Sequence, residues 1–246
     1  MKKNYLFLTA ACLILLLNAC KKENDVFSTI TLDSYYPLQT GKYITYQLDS
    51  LVYTNFGTQD TTISYEVKYQ VDSLITDNLG RPAYRLFRFI RKSAPQPWVP
   101  SGTFMAVNST SSVEFIENNL RYIKLKLPVK DGYLWKGNVF IDTYSLNSTL
   151  KYLDDWDYVY AGVGQPATVG GFSLDNTLTV QQRDEVIGDP SFPDSYSEIN
   201  FGEEKYAQGI GLVYRKFFHS EFQPDPAPGY IADGSYGVTL TMIDHN

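Results

Sequence analysis

Asp154, Asp155 and Asp157 crowd around Trp156 in the run Asp154-Asp155-Trp156-Asp157, and carboxylates this close are the first place to look for chemistry. On a strand, Asp155 and Asp157 would share a face and could offer oxygen ligands to a hard cation such as calcium. No further ligands follow at a defined loop spacing, so the run reads as a solvated loop and no metal site is expected. Paired carboxylates about 5–10 Å apart are also what glycoside cleavage requires. With 27 acidic residues in the chain, such a pair arises by chance, and the spacing alone designates none. The two histidines, His219 and His245, are separated in sequence and read as strand-end or terminal surface residues. Gly171-Phe172-Ser173-Leu174-Asp175 lacks the last glycine of a nucleophile elbow. Gly162-Val163-Gly164-Gln165-Pro166-Ala167 has the glycines of a dinucleotide loop, but Pro166 and the lack of a following amphipathic helix make it a turn. No catalytic residue and no cofactor is expected.

Aromatic residues offer a second kind of chemistry. Trp98, Trp135 and Trp156 could form a platform that stacks against sugar rings, or they could be core. Trp98 sits between Pro95 and Pro100, in a loop that would expose it, and is the best single candidate for a ligand contact.

The elements that must position these residues are strands. From Thr62 to Ser73, Ile63, Tyr65, Val67, Tyr69 and Val71 alternate with Thr62, Ser64, Glu66, Lys68, Gln70 and Asp72, the pattern of a sheet with one dry and one wet face. A strand of that length belongs in a twisted, curled sheet or a barrel. Lys42–Val52, Ala83–Arg91, Arg121–Leu127 and the stretch from Tyr236 to Ile243 read as further strands. Turn residues separate them at Asn55-Phe56-Gly57, Asp77-Asn78-Leu79-Gly80, Asn118-Asn119 and Lys130-Asp131-Gly132. Helix is scarce, with Gln181–Ile187 and Glu198–Ala207 as the two short candidates. The expectation is an all-β fold: a curved antiparallel sheet, half-barrel or barrel-like, with at most one or two short helices. Its concave face, lined by residues such as Tyr65, Val67 and Tyr69, is either a filled core or a groove able to accept lipid.

The amino terminus opens with Lys2 and Lys3, then a 13-residue apolar run from Tyr5 to Leu17. About 20 residues are needed to cross a bilayer as a helix, whereas a basic start, a short apolar core and small residues at its end mark a secretory signal. The end, Leu17-Asn18-Ala19-Cys20, resembles the lipobox of bacterial lipoproteins. That resemblance implies cleavage before Cys20, a diacylglyceryl group on its thiol and usually an acylated amino group. Two or more chains anchor stably where one does not. The only other cysteine, Cys12, would leave with the leader, so the mature chain would hold neither a disulfide nor a free thiol. Cys20-Lys21-Lys22-Glu23-Asn24-Asp25 loosely resembles the export signal that takes Bacteroidota lipoproteins to the cell surface. Outer-membrane anchoring is therefore expected, with the periplasmic face and the cell surface both open.

Three stretches resemble a group of uncharacterised Bacteroidota envelope lipoproteins: Tyr36-Pro37-Leu38-Gln39-Thr40-Gly41-Lys42-Tyr43-Ile44-Thr45-Tyr46, Leu127-Pro128 with Gly132, Trp135, Gly137 and Asn138, and Tyr206–Tyr214. The last is similar, more weakly, to periplasmic proteins with curved antiparallel sheets, including half-barrel carriers of lipoprotein lipids. The resemblance implies location and fold and carries no activity. Asp49-Ser50-Leu51 and Asp72-Ser73-Leu74 resemble the Bacteroidota O-glycosylation motif.

The expected organisation is a signal peptide over 1–19, a lipidated tether over 20–33 and a single β domain over 34–246. Losing Lys2 and Lys3 takes the net charge from −6 to −8, an acidic balance that repels phosphate backbones and argues against nucleic acid as a partner. The expected partner is the membrane, through the lipid on Cys20. A glycan or an apolar small molecule is an open second partner, and the oligomeric state is not legible. The leading functional expectation is a non-catalytic envelope lipoprotein with a binding or assembly role. A surface glycan-binding module of a polysaccharide-uptake system is the alternative, and a carboxylate-dependent hydrolase ranks third.

Overall fold

The alternation from Ile63 to Val71 forms the middle of an 18-residue strand, β2 (Gln59–Thr76). The computed structural model describes residues 30–246, so Cys20 and the leader lie outside the described residues. Strand β2 pairs antiparallel with β1 (Tyr43–Thr54) on one side and β3 (Pro82–Arg91) on the other. The sheet continues through β4 (Val99–Asn108) and β5 (Ser112–Glu117) to β6 (Leu120–Lys126). On the other side of β1 come β13 (Tyr236–His245), β11 (Gly211–Gln223), β10 (Ser197–Ala207), β9 (Phe172–Gly188), β8 (Asp157–Val169) and the short β7 (Leu134–Lys136). A two-residue strand, β12 (Tyr230–Ile231), adds to β11. Most neighbours in the sheet are also neighbours in sequence, as expected of hairpins joined by tight turns. Asn118 and Asn119 both take positive φ between β5 and β6, the conformation a two-residue hairpin turn demands.

The sheet curls until its two edges meet, so the fold is barrel-like and all but closed. The seam is made largely by side chains in place of a strand ladder. The Ile123 N–H of β6 donates to the Gly137 carbonyl at 2.8 Å, and the Trp135 indole N–H returns to the Ile123 carbonyl at 2.8 Å. The Tyr160 hydroxyl accepts from the Lys126 N–H at 2.8 Å and donates to the Lys126 carbonyl at 2.9 Å. These bonds satisfy backbone groups that an open edge would leave unpaired. A glycine is needed at 137 because a Cβ there would sit 2.3 Å from the Tyr158 ring.

Inward-facing residues fill most of the lumen. Tyr46, Val67, Val213, Leu240 and Met242 form one apolar cluster, and Leu38, Val71, Leu86, Phe104, Ala106 and Phe115 form a second. Tyr69 joins them, edge-on to Tyr46 and tilted against Phe104. The end where the chain enters is covered by a one-turn helix, α1 (Leu32–Tyr35), whose Leu32 and Tyr35 are buried. The Ser34 carbonyl accepts the Gly209 N–H at 2.6 Å, and the Tyr36 ring rests on Tyr206. The opposite end is plugged by a 3₁₀ turn, Lys151–Leu153, whose Tyr152 ring stacks on His219 at 3.8 Å.

Four expectations change. Gln181–Ile187 and Glu198–Ala207 lie in strands β9 and β10, not in helices, because both segments pair along their length. The Gly162–Ala167 stretch is an irregular, bulged part of β8, with register shifts around Gln165; positive φ at Gly162 and Gly164 permits the bulge. His219 is buried, because β11 turns it inward. The compact unit begins at Thr31, before the expected boundary at residue 34, since Leu32 is core.

Candidate functional site

Alternation carries some charged residues inward with the apolar ones. On β10, Asn200, Gly202 and Glu204 face the lumen opposite His219, Phe217 and Arg215 of β11. On β6 the same phase places Lys124 inside. Lys124 Nζ lies 2.6 Å from Glu204 Oε1, and the Tyr206 hydroxyl donates to Glu204 Oε2 at 2.6 Å. Arg215 reaches the same carboxylate less closely, with Nε 3.7 Å from Oε1, and donates to Glu117 Oε2 at 3.2 Å. Burial alone would raise the Glu204 carboxyl, but Lys124, Arg215 and the Tyr206 hydroxyl outweigh it and hold that carboxyl below its ordinary value. Glu204 is thus ionised, and its ammonium and phenol partners satisfy both oxygens.

A cavity of about 80 Å³ lies against this cluster, at the end covered by α1. Its deep side is polar: Lys124, Glu204, Arg215 and the rings of Tyr36, Tyr69 and Tyr206. Leu38, Val71, Leu86, Phe115 and Leu240 supply an apolar wall, while half-buried Lys42 and Tyr43 stand at the outer side. Burial raises the phenols of Tyr36, Tyr69 and Tyr206, reinforced by the carboxylates of Glu204 and Glu117, so they remain neutral donors. A second cavity of about 20 Å³ lies on the far side of Lys124 and Arg215, lined by Tyr122, Tyr152, Tyr158 and Gln182. It has room for one water, and the Gln182 Nε2, buried with no protein partner among the described residues, lines it.

The sequence-designated residues fall elsewhere. Trp135 and Trp156 are 4% and 1% exposed, which corrects the idea of a shared sugar platform. Trp135 stacks on Tyr133 and its indole N–H closes the seam, while Trp156 packs on Phe217 and donates to the Tyr152 carbonyl. Trp98 is half-buried on the outer surface. The Arg91 guanidinium lies 4.3 Å from its ring centroid and the Lys68 ammonium 5.2 Å, so cations already occupy the ring's surroundings. Asp155 and Asp157 are bridged by Lys136, and Asp154 accepts from the Thr143 hydroxyl at 2.6 Å. Among the described residues, no group of three or more His, Cys, Asp or Glu side chains is arranged to hold a metal. His219 bonds Asn200 through Nδ1 at 2.8 Å, and burial lowers its imidazole below the ordinary value despite Glu198 and Glu221 nearby. Sequence reasoning missed Lys124, Glu204 and Arg215. The available signal was phase, since Glu204 shares its strand face with the aromatic Tyr206.

No protein-family model and no curated protein matches the chain. Among solved structures, a Bacteroides fragilis protein described as exported and as having a YmcC-like fold is similar over 86% of this chain and 98% of its own. The identity is 12% and the TM-score 0.39. A likeness that distant carries nothing about function.

Proposed function

We propose that this chain is a non-catalytic envelope lipoprotein, anchored to the outer membrane by lipid on Cys20, whose barrel serves binding or assembly. The observation that carries the non-catalytic reading is the pairing of two buried carboxyls, Glu204 and Glu114, with cations. A general acid needs a carboxyl raised toward neutrality by isolation. Here Glu204 is held down by Lys124 and Arg215, and Glu114 by Arg81 and Arg121 against the effect of burial. Both are committed to partners, as a structural network requires. The outward side of β2 carries Ser64, Glu66, Lys68, Gln70 and Asp72, a surface suited to water rather than to hydrocarbon. The barrel thus sits beside the membrane on its tether. Ten residues lie between Cys20 and Thr31, enough for about 40 Å at full extension, and Thr31 stands at the end that holds the cavity beside Lys124 and Glu204.

The anchor is tested by expressing the full chain and the Cys20→Ser variant in a bacterial host. The unaltered protein is expected in the membrane fraction with two or three acyl chains on residue 20 by mass spectrometry. The variant is expected in the soluble fraction. An unmodified mature terminus, or equal membrane retention of both forms, overturns the reading.

A further inference from the structure

We infer that the cavity beneath α1 is a binding site for a small anionic amphiphile, a short apolar body carrying one carboxylate or comparable anionic head. The inference rests on the proposed binding role and gives it a ligand class. It stands on three features of the lining.

The first is charge. Lys42, Lys124 and Arg215 line the cavity with Glu204 as the one carboxylate among them. Glu117 holds Arg215 at 3.2 Å, so the buried charges balance, and the surplus cation is Lys42 at the outer side, whose ammonium donates to the Asn246 carbonyl at 2.8 Å. This surplus occurs inside a chain whose overall charge is −6. A cationic patch walled by apolar groups, in an otherwise acidic protein, selects for anions.

The second is unused donor capacity. A guanidinium carries five N–H donors in a fixed fork. Among the described residues, the hydrogen bond from Arg215 goes to Glu117, while its Nε stands 3.7 Å from Glu204, beyond bonding distance. The Arg215 side chain, 19% exposed, lines this cavity and the smaller one beyond it. A carboxylate entering there would take a charge-assisted, bidentate pair. The neutral phenols of Tyr36 and Tyr69 line the same cavity.

The third is the division of the lining. Leu38, Val71, Leu86 and Phe115 form a continuous apolar wall, drawn from the cluster on the β2–β5 side, while the buried charges come from β6, β10 and β11. An ion without an apolar body would leave the wall uncovered, and a hydrocarbon without a head would leave Arg215 unmet. The cavity, about 80 Å³, is well below the roughly 300–1,000 Å³ of drug-sized sites. The ligand is therefore short, and a full lipid chain does not fit without movement of α1.

The test uses the full-length lipidated protein in phosphatidylcholine nanodiscs, with empty discs as the blank. Three probes of one length are compared: hexanoate, hexanol and hexylammonium. Ultraviolet difference absorbance of the lining tyrosines reports occupancy. Hexanoate is expected to saturate the signal and to bind about tenfold more tightly than hexanol, the scale of one charged hydrogen bond, with hexylammonium weakest. Leu86→Phe, which fills the apolar wall, and Arg215→Lys, which keeps the charge but loses the fork, are each expected to weaken hexanoate by about tenfold or more. Hexylammonium binding as well as hexanoate overturns the inference without any variant. So does hexanoate binding that survives both substitutions in folded protein. Failure here with an acylated Cys20 removes the ligand class and leaves the anchored reading standing. Success with an unmodified Cys20 does the reverse.

Discussion

Lys124 and Glu204 lie 80 residues apart in sequence and 2.6 Å apart across the lumen. The contact joins β6, one edge strand of the sheet, to β10, three strands from the other edge strand, and so ties the two sides of the seam together from within. Removing one member of such a pair leaves a buried charge without its partner, which typically costs about 3–5 kcal/mol. Lys124→Met is expected to lose stability on that scale in urea unfolding. Lys124→Met with Glu204→Gln is expected to lose clearly less than the two single losses added together, since no lone carboxylate remains. Strict additivity in the cycle would show that the pair does not couple.

The seam itself has a direct probe. Tyr160 serves both the N–H and the carbonyl of Lys126 through one hydroxyl. Tyr160→Phe keeps the ring and orphans both groups, a loss of about 1–3 kcal/mol. The effect is expected to be local, with faster hydrogen exchange along β6 than along β2. Uniformly faster exchange across the sheet would count against a side-chain seam. Gly137→Ala tests the same edge sterically, by placing a methyl against Tyr158; overpacking of this kind costs about 1–3 kcal/mol.

Alkaline titration follows from the lumen's tyrosines. Burial raises the phenols of Tyr36, Tyr46, Tyr122, Tyr158 and Tyr206, and the Glu204 carboxylate adds to it. Their folded values lie above those of the unfolded chain, so their contribution is whole below about pH 10 and is lost as the pH rises beyond it. Absorbance at about 295 nm is expected to show these tyrosines ionising together, in step with loss of β circular dichroism. A gradual ionisation that precedes unfolding would contradict a closed lumen.

How much of this was legible in the sequence depends on which face a residue occupies. Strand β2 was plain because its inward positions, Ile63 to Val71, are all apolar and its outward ones all polar. Strands β9 and β10 were obscured because their inward positions include Gln182, Asn200, Gly202 and Glu204. Polar residues on the inner face erase the alternation, and a ten-residue stretch with scattered charges then passes for a short helix. The partners that make those residues tolerable inside, Lys124 and Arg215, come from other strands. No local pattern announces them, so the apolar lining of the concave face is legible from the sequence and the charged cluster within it is not. Trp135 and Trp156 are aromatic for the reason buried aromatics usually are: they fill volume and spend one N–H on a backbone carbonyl.

Acid is expected to act on the outer rim of the same sheet. Glu114 receives Arg81 through two bonds at 2.9 and 2.8 Å, and Arg121 as a third partner. Asp77 accepts the Leu79 and Arg81 N–H groups and the Arg81 side chain. Burial pushes both carboxyls up, yet these partners hold them below their ordinary values. With folded values beneath the unfolded ones, the stability they contribute is complete above the ordinary carboxylate range, near pH 4. It is lost as the pH falls through the depressed folded values. Urea midpoints measured from pH 7 down to pH 3 are therefore expected to hold steady and then fall below about pH 4.5. Glu114→Gln is expected to start lower at pH 7 and to fall less steeply, because the titrating group has been removed. Parallel curves for the two proteins would mean that Glu114 titrates alike in folded and unfolded chains, and the guanidinium clamp would then contribute nothing.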